Sequence, residues 1–154
     1  MKHKPLSYFA KGKVDAKTGM NSLESKYSAH LEVLRVAGGI HGWRFGSVKF
    51  RMADKTWYLP DFQVMMNDGT IEFHETKGFM TDKANVKIKT CAALYSEYIF
   101  RLVKEEKTTP EIKRKASEMN VKVGTLKGWE ITVYPPHKDS DWIDEMIAEG
   151  RDDT

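Results

Sequence analysis

Three side chains in this sequence have the types and spacing to work on a phosphodiester. Asp61 follows a proline in Tyr58-Leu59-Pro60-Asp61-Phe62, and Glu75 and Lys77 stand one residue apart in Glu75-Thr76-Lys77-Gly78. Breaking a phosphodiester with water needs a polarised phosphoryl oxygen, an oriented and deprotonated water, and compensation for charge on the leaving oxygen. Magnesium is held by one or two carboxylates, with water and phosphate oxygens completing its octahedron. Asp61 and Glu75 are the natural pair, and a peptide carbonyl near Thr76 is a further candidate ligand. Lys77, about 7 Å beyond Glu75 along an extended chain, can orient the attacking water or neutralise the phosphate.

These residues need a hairpin to bring them together. Thr70 to Lys77 alternates, so Ile71, Phe73, Glu75 and Lys77 share one strand face, with Glu72, His74 and Thr76 on the other. Trp57 to Met66 reads as the partner strand, and Asn67-Asp68-Gly69 is a strong turn signal between them. The midpoint of Asp61 and Glu75 is residue 68, so the two acids are expected to lie almost opposite each other. Facing carboxylates repel, and a cation between them removes the conflict. Ile71 and Phe73 mark their face as buried, where an acid and an ammonium need a partner or an ion.

A helix is expected from Asn21 or Ser22 to about Ala37, stopped by Gly38-Gly39, with Leu23, Tyr27, Leu31 and Leu34 as its buried stripe. Glu24 lies at the edge of that stripe and could ligate the same ion or a second one. It also completes a capping box with Asn21, which is not exclusive of ligation. Trp43 to Phe45 and Val48 to Met52 alternate as strands before an Asp54-Lys55 turn. A second helix over about Asp82 to Ser96 turns Ile88, Cys91, Ala92 and Tyr95 to one side. Its Lys83, Lys87 and Lys89, just after the site, are placed to hold phosphates. Tyr98 to Val103 is expected inside the sheet, Thr109-Pro110 opens a third helix ending near Asn120, and Trp129 to Tyr134 is the last strand. The order predicts a mixed sheet flanked by helices, in the α/β (α+β) class.

At these residues the sequence resembles the PD-(D/E)XK nuclease superfamily. It is similar in particular to phage-encoded endonucleases, including the phage endonuclease I family of Holliday-junction resolvases, through Ser22-Leu23-Glu24, the Tyr58 to Phe62 segment and Glu75 to Gly78. A group of small phage proteins of uncharacterised function shares Asn21 to Glu24, Pro60-Asp61-Phe62, the Lys-Gly pair and a helix like that of Lys87 to Lys89. The likeness covers about residues 20 to 103. It implies a restriction-endonuclease-like core, metal-binding and catalytic roles for Asp61, Glu75 and Lys77 with Glu24 as the helix acid, magnesium with manganese as a substitute, and DNA as partner. A resolvase cutting branched DNA would act as a homodimer. The alternative of another class is a DNA-binding protein with the fold but no catalysis. The likeness also implies a phage or prophage protein working in a bacterial host.

Composition agrees with a polyanion partner. The net charge of +3 conceals a split: residues 139–154 hold seven acids and one arginine, leaving the rest of the chain at +9. Residues 1–20 read as a flexible basic arm, 21–136 as one nuclease domain with its core in 21–103, and 137–154 as an acidic tail with a short helix over Ser140 to Ala148. At 154 residues, 40% hydrophobic and 31% charged, a single domain is expected. The sequence shows no membrane span and no signal-peptide core, pointing to the cytoplasm, and no organic cofactor is expected. One cysteine, Cys91, allows no intrachain disulfide and reads as packing. His74 reads as structural or solvated, and Trp43, Trp57 and Phe79 as core rather than as platforms for bases.

Overall fold

The computed structural model describes residues 14–134, so most of the basic arm and all of the acidic tail with its short helix lie outside the described residues. The first helix, α1 (Ser22–Val36), is capped as its sequence dictates: Asn21 accepts the Glu24 N–H, and Glu24 accepts the Asn21 N–H at 2.7 Å. The end of the expected basic arm is not loose. Asp15 organises a turn by accepting the N–H groups of Lys17 and Thr18, and Met20 is buried beneath α1.

Seven strands follow or flank the other helices. They are β1 (Gly42–Phe45), β2 (Phe50–Ala53), β3 (Thr56–Tyr58), β4 (Phe62–Met65), β5 (Ile71–Thr76), β6 (Ile99–Glu105) and β7 (Trp129–Tyr134). Helix α2 (Asp82–Leu94) joins β5 to β6, while α3 (Pro110–Glu118) and a 3₁₀ turn at Val123–Leu126 precede β7. The main sheet runs β1-β4-β5-β6-β7; β5 and β6 are parallel and the other pairs antiparallel. The fold is mixed α/β, as expected, with α1 on one face of the sheet and α2 on the other. Among the described elements α3 packs only on the 3₁₀ turn. No helix among the described residues is long and apolar enough to cross a membrane.

The β4–β5 hairpin closes around residue 68, with Phe62 facing His74 and Met65 facing Ile71. Gly69, at φ 89°, supplies the left-handed residue of the turn. Trp57 to Met66 is not one strand, however. The chain leaves a two-stranded β2–β3 ribbon at Tyr58 and enters the main sheet at Phe62. Pro60 has no N–H to give a ladder and biases Leu59 toward extended backbone, so the break falls there. The Asp61 carbonyl still accepts the Gly46 N–H at 2.8 Å, which anchors the link.

Because β5 is central, it is buried on both faces. Toward α2 and the ribbon, Phe73 packs with Phe50, Tyr58, Ile88, Cys91, Phe100 and Leu102. Burial pushes the Cys91 thiol up to about 11, so it is inert packing. Toward α1, Phe62, Val64 and Val103 pack under Tyr27 and Leu31. Trp43 joins that layer and donates its indole N–H to Glu32. Trp57 and Phe79 do not join the core: they are 41% and 81% exposed, contrary to expectation. Alternation explains Trp57, since Tyr58 takes the inward position on this short strand. Phe79 lies in the non-helical link before α2, where no neighbouring element covers it.

Candidate functional site

Asp61, Glu75 and Lys77 converge where β4 begins and β5 ends. The Asp61 Oδ2 accepts the Thr76 N–H at 2.8 Å and the Thr76 hydroxyl at 2.9 Å, so the residue between the acid and the lysine holds the facing acid. Asp61 Oδ1 takes no hydrogen bond among the described residues and reaches solvent. Glu75 is 6% exposed. Its Oε1 pairs with the Lys77 ammonium at 2.7 Å, and its Oε2 accepts the Tyr58 hydroxyl at 3.1 Å. Tyr58 carried a readable signal, three residues before Asp61 and inward on an aromatic strand, but its bond to Glu75 depends on the ribbon folding over β5.

The electrostatics are those of too many acids for one cation. Burial raises the Asp61 pKa against the pull of the two Thr76 bonds and Lys77. Burial, then the neighbouring Asp61 charge, pushes Glu75 up to about 7. Glu24 is raised by burial and by Asp61, although its bond to the Asn21 N–H opposes this. Burial acts to lower Lys77, but Glu75, Asp61 and Glu24 outweigh it and leave the ammonium more tightly protonated than usual. Fully ionised, these three acids and one lysine carry −2, the charge a divalent cation neutralises. This donor set, with an accessible Asp61 oxygen, fits magnesium, which asks for few carboxylates and keeps its waters. Among the described residues no three His, Cys, Asp or Glu side chains are gathered into a group that could hold a metal ion, so Glu24 stays on the α1 cap and is not brought to Asp61 and Glu75 as a third ligand.

The shift at Glu75 gives a stability prediction. Its folded pKa of about 7 exceeds the ordinary 4.5, so the folded state holds the proton more tightly than the unfolded chain. That stabilisation is complete below about pH 4.5 and is lost as pH rises through 7, an effect on the order of 3 kcal/mol. Thermal unfolding in chelator should therefore show Glu75→Gln gaining on the native protein from pH 5 to pH 8. Parallel pH profiles for the two would contradict a Glu75 carboxyl buried beside the Asp61 charge.

The expected phosphate-binding lysines divide. Lys83 and Lys87, one helical turn apart on α2, line a cavity of about 360 Å³ together with Glu75, Lys77, Trp57 and Leu59. Lys89 is exposed and contributes nothing to that wall. Two residues past Lys87 it has turned about 200°, to the far side of the helix, so it does not share the wall with the other two lysines. Glu24 is seen acting as the α1 cap, its charge felt by both Asp61 and Lys77.

The opposite face of β5 carries a network absent from the sequence reading. Glu72 accepts Arg101 Nε at 2.7 Å and Nη2 at 2.9 Å, and pairs with His74 Nε2 at 2.8 Å. His74 Nδ1 lies 2.6 Å from the Tyr27 hydroxyl. Burial keeps the Tyr27 proton on oxygen, which assigns Tyr27 as donor to Nδ1 and His74 Nε2–H as donor to Glu72. His74 is thus structural and buried rather than solvated. No family model matches this chain, and it matches no curated protein and no solved structure.

Proposed function

We propose that this protein is a magnesium-dependent endonuclease of DNA, built on a restriction-endonuclease-like core of the phage type. One observation carries the reading: the half-buried Asp61 and the buried Glu75 meet where β4 begins and β5 ends, Lys77 pairs with Glu75 and feels the charges of Asp61 and Glu24, and a cavity opens beside Glu75 and Lys77. Asp61 and Glu75 would hold the ion, with the Thr76 carbonyl extending the set and Glu24 adding negative charge from the α1 cap. When bound there, magnesium supplies Lewis acidity at the phosphoryl group.

The remaining work falls to the chain. Thr76 fixes one Asp61 oxygen and leaves the other free. Tyr58 fixes Glu75 Oε2, so the acid cannot rotate away from the cleft. Lys77, held in its charged form, orients water for in-line attack and offsets charge on the phosphate. Lys83 and Lys87 hold neighbouring phosphates across the cavity. The products would carry a 5′-phosphate and a 3′-hydroxyl. Incubation of the purified protein with supercoiled plasmid should give nicked circles with magnesium or manganese and none with chelator. Plasmid left intact with both metals would remove the enzymatic reading and leave a DNA-binding protein.

A further inference from the structure

We propose that the cavity beside Glu75 and Lys77 is a nucleobase subsite, in which Trp57 stacks on an unpaired base next to the reactive phosphate; this rests on the nuclease reading above. The wall of this cavity is chemically mixed in an uncommon way. On the ribbon side it carries two apolar groups, Trp57 at 41% and Leu59 at 56% exposure. On the α2 side it carries the ammoniums of Lys83 and Lys87, and at its base lie Glu75 and Lys77. A flat aromatic surface, two cations and a reactive centre around one hollow match a nucleotide: base on the indole, phosphates on the lysines.

The ribbon is built to present this ring. Tyr58 takes the buried position, so Trp57 is turned outward, and the Lys49 ammonium stands 4.5 Å from the indole centroid. That cation makes the aromatic platform electropositive and suits it to a ligand flanked by phosphates. An indole exposed to this degree gives up burial that the core beside it could have supplied. At about 360 Å³ the cavity is near the lower end of ligand pockets, the size of one base with its sugar. Bases inside a continuous duplex are stacked and out of reach, so the subsite selects strands with an unstacked base at the cut.

Binding in chelator tests this without any cleavage. A labelled oligothymidylate of about twelve nucleotides is compared by fluorescence anisotropy with an abasic phosphodiester strand of equal charge. The native protein should favour the thymidylate about tenfold. Trp57→Ala should bring the ratio to about one, Trp57→Phe should keep most of it, and Lys83→Ala should weaken both strands alike. A native ratio of one, or a ratio unchanged in Trp57→Ala, overturns the proposal. If plasmid is not nicked yet the Trp57-dependent ratio is present, the base subsite stands and the nuclease reading falls. If plasmid is nicked and the ratio is one, the reverse holds.

Discussion

Asp61→Asn and Lys77→Ala should each slow plasmid nicking by about a thousandfold or more while DNA binding stays within a few-fold of the native protein. The asparagine keeps the size of the side chain and an oxygen for Thr76, so what it removes is the charge an ion needs. Lys77→Ala removes the one ammonium that three acids share, leaving Glu75 buried without its partner at 2.7 Å. Neither change touches Lys83 or Lys87, and phosphate contacts supply most non-specific affinity. Lys77→Ala should flatten the dependence of binding on salt by about one phosphate contact, whereas Asp61→Asn should not. Initial nicking rates with magnesium, paired with anisotropy in chelator, read the two effects separately. Cleavage within about tenfold of native by either folded variant would refute the site assignment.

The second large effect lies on the other face of the same strand. Glu72→Ala should destabilise the fold by about 3 kcal/mol, because it strips a half-buried guanidinium and a buried imidazole of their shared acceptor. Glu72 is only 4% exposed and His74 6%, so the imidazole loses its acceptor away from water, while Arg101 keeps some access to solvent. Burial acts to raise Glu72, but bonds from His74 and Arg101 outweigh it and hold the acid at about 2. The sign is opposite to that at Glu75: this stabilisation is present above about pH 4.5 and is lost as pH falls toward 2. Urea unfolding at neutral pH should show the full deficit for Glu72→Ala, and the gap to native should narrow in acid. A deficit below about 1 kcal/mol would mean the network is solvated in solution.

Local chemistry made the hairpin and the helix ends readable. The Asn-Asp-Gly turn set the strand register, and Asn21, Thr81 and Thr109 each cap a helix through the side chain. Asp61 and Glu75 could be paired because an antiparallel register follows from its turn. Alternation, however, reports only one face of a strand. In sequence His74 reads equally as structural or solvated and Glu72 only as its neighbour on that face, until β6 brings Arg101 alongside and α1 brings Tyr27 down from 47 positions away in sequence. The split at Pro60 was also hidden, since aromatic content argued for continuity while a missing N–H argued against it. Trp57 was misread for the same reason: whether an aromatic is core depends on which neighbour in a three-residue strand points inward.

Three residues, Leu59 to Asp61, carry the chain from the ribbon to the main sheet. A lineage of such proteins can therefore alter what the ribbon touches by drift of its outward side chains, and it can do so cheaply. It cannot freely alter the length of that connector, because a residue inserted after Asp61 would turn the aspartate away from Thr76, and one inserted before it would shift Tyr58 relative to Glu75. Selectivity is left open to evolutionary tinkering, and the chemistry beside it is locked by chain geometry.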